Sequence, residues 1–161
     1  MKISLLTDHP EAVTTIAQWY FDEWAHTAPH ITLDTVIEKV TEKASNRNKI
    51  PLAIIAHVED HLAGVLELKI RENKNYPDYE HWIGGVYTHS AYRRQGIAGA
   101  LIHRAKEMAC GMGVKKLYLQ CESFNIAFYK KLGFELLHTA QHHNVETTIM
   151  VWDTNVQSEL V

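Results

Sequence analysis

The chain has 161 residues, 46% of them apolar and 22% charged, an ordinary globular composition that supplies one domain with a sizeable core and is short for two. A formal net charge of −3 argues against a nucleic-acid binder, and no apolar run approaches the roughly 20 residues that span a bilayer. The two cysteines, Cys110 and Cys121, argue against a disulfide framework and fit a reducing, cytoplasmic setting, and MKISLLTDHP is a poor secretory signal.

Lys2 to Leu6 reads as a short strand. Apolar residues then fall at Val13, Ile16, Ala17, Tyr20, Phe21 and Trp24, a helical spacing, with Thr7 or Asp8 as N-cap and Pro10 in the first turn. Leu33, Val36, Ile37 and Val40 predict a second helix over 33–44. Two strands, 52–58 and 61–70, flank Glu59-Asp60 and predict a hairpin. Another strand over 82–89 contains Gly84-Gly85, and paired glycines in a strand mark a bulge, a close backbone approach or relief of crowding under a helix. Helical character resumes from Arg94 to about Gly111. A strand over 116–121, a short helix over 125–132 and strands over 134–139 and 145–152 follow. No linker or repeat divides the sequence, so residues 1–155 read as one domain and 156–161 as a tail. The order β-α-α-β-β-β-α-β-α-β-β predicts an α/β chain of the mixed α+β kind, a mixed sheet covered by helices.

The informative stretch is Val86-Tyr-Thr-His-Ser-Ala-Tyr-Arg-Arg-Gln-Gly-Ile-Ala-Gly-Ala-Leu101. A strand feeds a tight turn and a helix begins at once, so several N–H groups lack internal partners at the positive end of the helix dipole. Such a turn suits a phosphate or pyrophosphate, and Gly96, Ala98 and Gly99 keep side chains out of the way. The same small residues also suit plain packing of helix on sheet. The turn is neither a Walker loop nor a dinucleotide fingerprint.

Arg93-Arg94-Gln95-Gly96-Ile97-Ala98 resembles the Gln/Arg-x-x-Gly-x-Gly/Ala signature of the GCN5-related N-acetyltransferase (GNAT) superfamily. Phe128-Tyr129-Lys-Lys-Leu-Gly133-Phe134 is similar to the Phe-Tyr-x-Lys-x-Gly-Phe segment of the same family, at the expected separation. The resemblance covers nearly the whole chain. It implies a central, mostly antiparallel sheet of about seven strands flanked by about four helices. It also implies an N-acetyltransferase that takes acetyl-CoA as co-substrate, with no metal, and passes the acetyl group to an amine of a small molecule or peptide by direct attack. On this resemblance Arg93, Arg94, Gln95, Gly96, Ala98 and Gly99 would cradle the pyrophosphate. The backbone of Val86 and Thr88 would pair with the acetyl carbonyl and the pantetheine arm, Asn125 would touch the coenzyme, and Tyr129 would protonate the departing thiolate. A homodimer is compatible with the family. A non-catalytic acyl-CoA sensor is the alternative reading, and a longer acyl donor a weaker one.

Candidate bases for the amine are Glu67, Glu80, His81 and Glu122, with Glu67 and Glu80 at the head; Glu67 alternates with Leu66 and Leu68 and so lies on the opposite face of its strand. Asp22, Glu23, Glu67, Asp78, Glu80 and Glu122 could form an acidic rim for a cationic amine. Trp19, Tyr20, Trp24, Tyr76 and Tyr79 could line a pocket or close the core; Trp19 falls off the helical stripe, toward a substrate cleft, while Tyr20 and Trp24 read first as core. His138, His142 and His143 read as a surface loop, with no matching ligand set for a metal.

Overall fold

The computed structural model describes residues 1–142 and 145–154. The proposed domain end at 155, the tail at 156–161 and His143 lie outside the described residues. Seven strands among the described residues form one sheet in the order β1-β2-β3-β4-β5-β7-β6: β1 (Lys2–Leu5), β2 (Leu52–Val58), β3 (His61–Ile70), β4 (His81–Thr88), β5 (Lys116–Cys121), β6 (Glu135–His142) and β7 (Val145–Asp153). Every neighbouring pair is antiparallel except β4 and β5, which run parallel. The helices are α1 (Val13–Trp24), α2 (Leu33–Lys43), α3 (Ile97–Gly111) and α4 (Ile126–Lys131). The predicted element order and mixed fold are what the structure has.

Both faces of the sheet are covered. Leu66, Leu68, Ile83, Leu117 and Leu119 point to the face covered by α3, where Leu101, Ile102, Ala105 and Ala109 of that helix are buried among them. Ala53, Ile55 and Val65 point the other way and bury Val13, Ile16 and Ala17 of α1 and Val40 of α2. This two-sided burial explains why β2 reads as a continuous apolar run rather than an alternation. Farther along the α1 face, the segment between β3 and β4 folds Tyr76 and Tyr79 onto Trp82 and Tyr118, with Tyr79 stacked 4.3 Å from Tyr118.

Local chemistry fixes the turns. Glu59 and Asp60 both have positive φ, as a two-residue hairpin whose turn must match the strand twist requires. Thr32 caps α2 by accepting the Thr35 N–H. Residues 6–12 form two short 3-10 turns, Leu6–Asp8 and Pro10–Ala12, so α1 starts at Val13, later than the Thr7/Asp8 signal suggests. α3 begins at Ile97, three residues after the predicted start, because Arg94 and Gly96 adopt left-handed backbone that cannot join a right-handed helix. His138 and His142 lie on β6 rather than in a loop. His138 is half-buried, with Nε2 2.9 Å from the Tyr79 hydroxyl. No helix among the described residues is long and apolar enough to cross a membrane.

Candidate active site at the split of the sheet

Parallel strands β4 and β5 share a single ladder pair, Trp82 with Tyr118. From there β4 runs on to Thr88 and β5 to Cys121 without further pairing, so the sheet opens as a wedge between them. One edge of β4 past Trp82 is therefore a row of backbone groups with no ladder partner in β5, the arrangement that accepts an extended ligand as an added strand.

A bulge re-aims β4 inside this wedge. Val65 of β3 faces Tyr87 and Glu67 faces Gly84, so Leu66 alone stands against both Gly85 and Val86. Gly85 has φ of +57°, the left-handed backbone that a glycine supplies at a bulge. The extra residue shifts the alternation of the strand, so Val86 packs into the α3-side core and Tyr87 into the α1-side core. Beneath the bulge sits Tyr20 of α1, whose hydroxyl donates to the Gly85 carbonyl at 2.7 Å. A Cβ at Gly85 would come 2.5 Å from that hydroxyl and 3.1 Å from Glu67 Oε2, so the close approach inferred from the glycine pair is present at Gly85.

The wedge ends at the turn between β4 and α3. Arg93 donates from Nε to the Thr88 carbonyl at 3.0 Å and lays its guanidinium 5.6 Å from the Tyr87 ring centroid, which braces the turn. Arg94 at φ +66° and Gly96 at φ +79° then reverse the chain. The first bond of α3 is Ala100 N–H to the Gly96 carbonyl, and no side chain among the described residues caps the helix. The N–H groups of Gly96, Ile97, Ala98 and Gly99 are thus the orphan donors of the helix start. A Cβ at Gly96 or Gly99 would meet nothing within 4 Å. At Gly96 the positive φ calls for glycine; at Gly99 neither backbone nor packing does. Gln95 is exposed and Ala98 half-exposed on the same turn.

On the other wall, α4 presents Tyr129. Its helix closes with Phe134 N–H to the Tyr129 carbonyl and Gly133 N–H to the Lys130 carbonyl, Gly133 sitting at φ +94°. This is the Schellman closure, in which an apolar contact joins the two ends, here Tyr129 against Phe134 at 6.1 Å. Lys106 of α3 donates to the Leu132 carbonyl and lies over the rings of Phe134 and Trp152, so the end of α4 is tethered to the core; burial lowers its ammonium below the ordinary lysine range. The Tyr129 hydroxyl bonds to none of the described residues. Burial, and secondarily the Cys121 thiol, push its pKa up to about 12, while burial takes Cys121 itself to about 11. Cys121 is buried on the apolar α3 side with Sγ 3.9 Å from the sulfur of Met150, a packed thiol rather than a nucleophile. Asn125 directly precedes α4 and is half-buried; its N–H bonds back to the Glu122 carbonyl.

The two head candidates for the base part company. Glu67 is 4% exposed on the α1 side of β3 at the bulge, 3.6 Å from Lys43 Nζ and 4.0 Å from Lys69 Nζ. Lys69 pairs in turn with Glu72 at 2.9 Å, and Glu72 with His142 at 3.9 Å, so alternating charges run along the floor. Burial works against the Lys69 charge, but the Glu72 and Glu67 carboxylates raise it above the ordinary lysine value. Glu80 lies five residues before Gly85, about 16 Å of strand away, exposed and bonded to Arg71 at 3.2 Å. His81 begins β4 beside it, and Glu122 is exposed after β5. Of the expected acidic rim, Glu67 and Glu80 are each paired with cations, and Asp22 accepts from Gln18 on the same helix. Trp19, expected toward a substrate cleft, packs against the α1-side core, 5.2 Å from Tyr87 and 5.7 Å from His89. Tyr20 is core, whereas Trp24 is 39% exposed at the helix end. Lys43 and Lys69 carry no site signal in the sequence, and Tyr20 carries two, an aromatic that could line a pocket and a helical period that points to packing.

The sequence profile described as the acetyltransferase (GNAT) family matches residues 11–134. Among proteins of curated function none matches this chain by sequence. Solved structures match the fold along its length. A ribosomal-protein-alanine N-acetyltransferase from Brucella melitensis superposes with a TM-score of 0.74 at 17% identity, over 95% of this chain and 99% of its own. An aminoglycoside 6'-acetyltransferase type Ii gives 0.73 at 17%, over 95% and 97%. YncA of Salmonella typhimurium, a putative acetyltransferase solved with its cofactor acetyl-CoA, gives 0.73 at 17%, over 95% and 93%. The family profile spans the bulged strand, the turn into α3 and the Tyr129 helix alike, and the chain belongs to the GNAT acetyltransferase family.

Proposed function

We propose that the wedge binds acetyl-CoA and that the chain, as a single domain, transfers the acetyl group to a primary amine of a small molecule or peptide by direct attack. The observation that carries this reading is a pair of open backbone stretches joined by one braced turn: the edge of bulged β4 that has no ladder partner in β5, and the uncapped N–H groups of α3. An adenine-nucleotide thioester has the matching order of parts: a thioester carbonyl, an extended amide arm and a pyrophosphate. The α3 start and the turn from Arg93 to Gly99 take the pyrophosphate, and the edge past Gly85 pairs with the arm. The donor supplies an activated acetyl group when bound; the rest is the work of the chain. The Val86 N–H donates to the carbonyl oxygen where negative charge grows during attack, an oxyanion-type role. Tyr129, protonated at any working pH because burial raises its phenol, gives its proton to the sulfur that leaves. Glu67, at the bulge, takes the proton of the amine.

The similar structures include enzymes named for aminoglycosides and for the alanine of a ribosomal protein, and both acceptor kinds belong in a test. Thiol release from acetyl-CoA across polyamines, aminoglycosides, amino acids and peptides is expected to rise with one class. Acetyl-CoA binding by calorimetry without turnover of any amine would favour the sensor; no binding at all would end the acetyl-CoA reading.

A further inference from the structure

The contact between Tyr20 and the bulge does more than pack a helix on a strand. Gly85 and Val86 are the two residues that share one partner in β3, and the peptide joining them is trans. In a planar trans peptide the N–H points opposite to the C=O, so whatever fixes the Gly85 carbonyl also fixes the Val86 N–H. Tyr20 fixes it: its hydroxyl lies 2.7 Å from that carbonyl and draws it toward α1. The Val86 N–H is thereby turned away from α1. The phenol is well held to this task. Its ring lies 5.3 Å from that of Trp24, and the glycine at position 85 leaves no room for a side chain between hydroxyl and strand. Burial, and next the Glu67 carboxylate, raise the phenol well above its ordinary value, so it stays a donor.

We infer that Tyr20 is a positioning residue for acetyl transfer: it holds the Gly85 carbonyl and so aims the Val86 N–H at the carbonyl oxygen of the bound thioester. The inference rests on the acetyl-CoA reading above and assigns a role to a helix that contributes none of the coenzyme-binding backbone named there. Removing an oxyanion donor outright costs about 100- to 1000-fold in turnover, and a donor that is misaimed but present costs less, about tenfold.

The test follows the Val86 amide proton by nuclear magnetic resonance, with CoA and with acetyl-CoA bound, beside kinetics of the wild-type and Tyr20→Phe proteins. In the wild type the amide is expected to move downfield when acetyl-CoA replaces CoA, because only the acylated ligand brings the carbonyl. In Tyr20→Phe that difference is expected to vanish and kcat to fall about tenfold, with CoA affinity within about threefold of wild type. A purely structural Tyr20 would lower thermal stability and weaken both ligands together, leaving the difference between them intact. That outcome, or an unchanged kcat, overturns the inference and leaves the acetyl-CoA reading standing. A wild-type Val86 amide indifferent to the acetyl group overturns it even if the variant does not fold. A wild type that binds neither ligand overturns both.

Discussion

Tyr129 and Tyr20 are two partly buried phenols on opposite sides of the wedge, and desolvation raises both, yet the chemistry open to each differs. Tyr20 has spent its proton on the Gly85 carbonyl, whereas the Tyr129 hydroxyl bonds to none of the described residues. An acid raised from about 10 to about 12 stays protonated as pH rises, so it adds no falling alkaline limb to kcat within the range where the protein is assayed. Tyr129→Phe is therefore expected to lower kcat at least tenfold at every pH between about 6 and 9, with the shape of the profile kept and acetyl-CoA binding retained. A variant profile that converges on wild type at one end would assign the proton to another group. The carboxylates divide as sharply. Glu67→Gln is expected to cost about 100-fold in kcat/KM, read by thiol release, because Glu67 is the carboxylate at the bulge. Glu80→Gln, which cuts an exposed bond to Arg71, is expected to change it less than about threefold. Equal losses from the two would return the base to the far end of β4. Glu67 was legible as lying on the face opposite the core leucines, because alternation in a strand is strict. Glu80 stands near the glycine pair in sequence yet about 16 Å of strand from Gly85, because an extended strand rises about 3.3 Å per residue.

At the scale of elements, α3 and α4 show how one kind of ending serves two purposes. Both close as Schellman motifs with glycine at the left-handed position, Gly113 and Gly133, and in each the residue after the glycine bonds back across the last turn. For α4 that closure brings Phe134, itself buried in the core, against Tyr129. The opposite end of α3 separates ligand from fold cleanly. Gly99 has helical backbone and open space around it, so Gly99→Leu is expected to keep or raise the melting temperature, since glycine is a poor helix former by about 1 kcal/mol. The same change is expected to weaken acetyl-CoA binding at least tenfold by calorimetry, because the side chain would stand over the orphan N–H groups. A loss of stability with unchanged binding would mean that Gly99 serves packing alone. Gly96→Ala should behave the other way, costing about 1–2 kcal/mol in chemical denaturation because φ of +79° disfavours any Cβ. The extents of β2, β3 and β5 were readable to the residue, since each is bounded by turn residues and buried on its apolar positions. The start of α3 was not, because Arg94 gives no sign in sequence that it takes left-handed backbone.

The whole molecule is a two-faced sheet whose central parallel pair comes apart. α3 on one face carries the uncapped turn, and α1 on the other holds the bulge, so neither layer makes the wedge alone. Sequence by itself determined the element order, the mixed class, the glycine-rich turn and the tyrosine helix. These depend on local backbone needs and on periodicity, which neighbouring residues dictate. The position of the bulge was half determined: the glycine pair marked the strand, and only pairing with β3 decided that Gly85 is the extra residue. The split between β4 and β5, the chain of charge from Lys43 through Glu67 and Lys69 to Glu72, and the hydroxyl of Tyr20 under Gly85 were decided by tertiary structure. Trp82 and Tyr118 are 36 positions apart and Lys43 and Glu67 are 24, and although the charge chain then steps by only 2 and 3, all of these links require the sheet first. Tyr20 and Gly85 are 65 residues apart. No period or motif in a sequence records which hydroxyl a folded sheet will bring beneath which carbonyl.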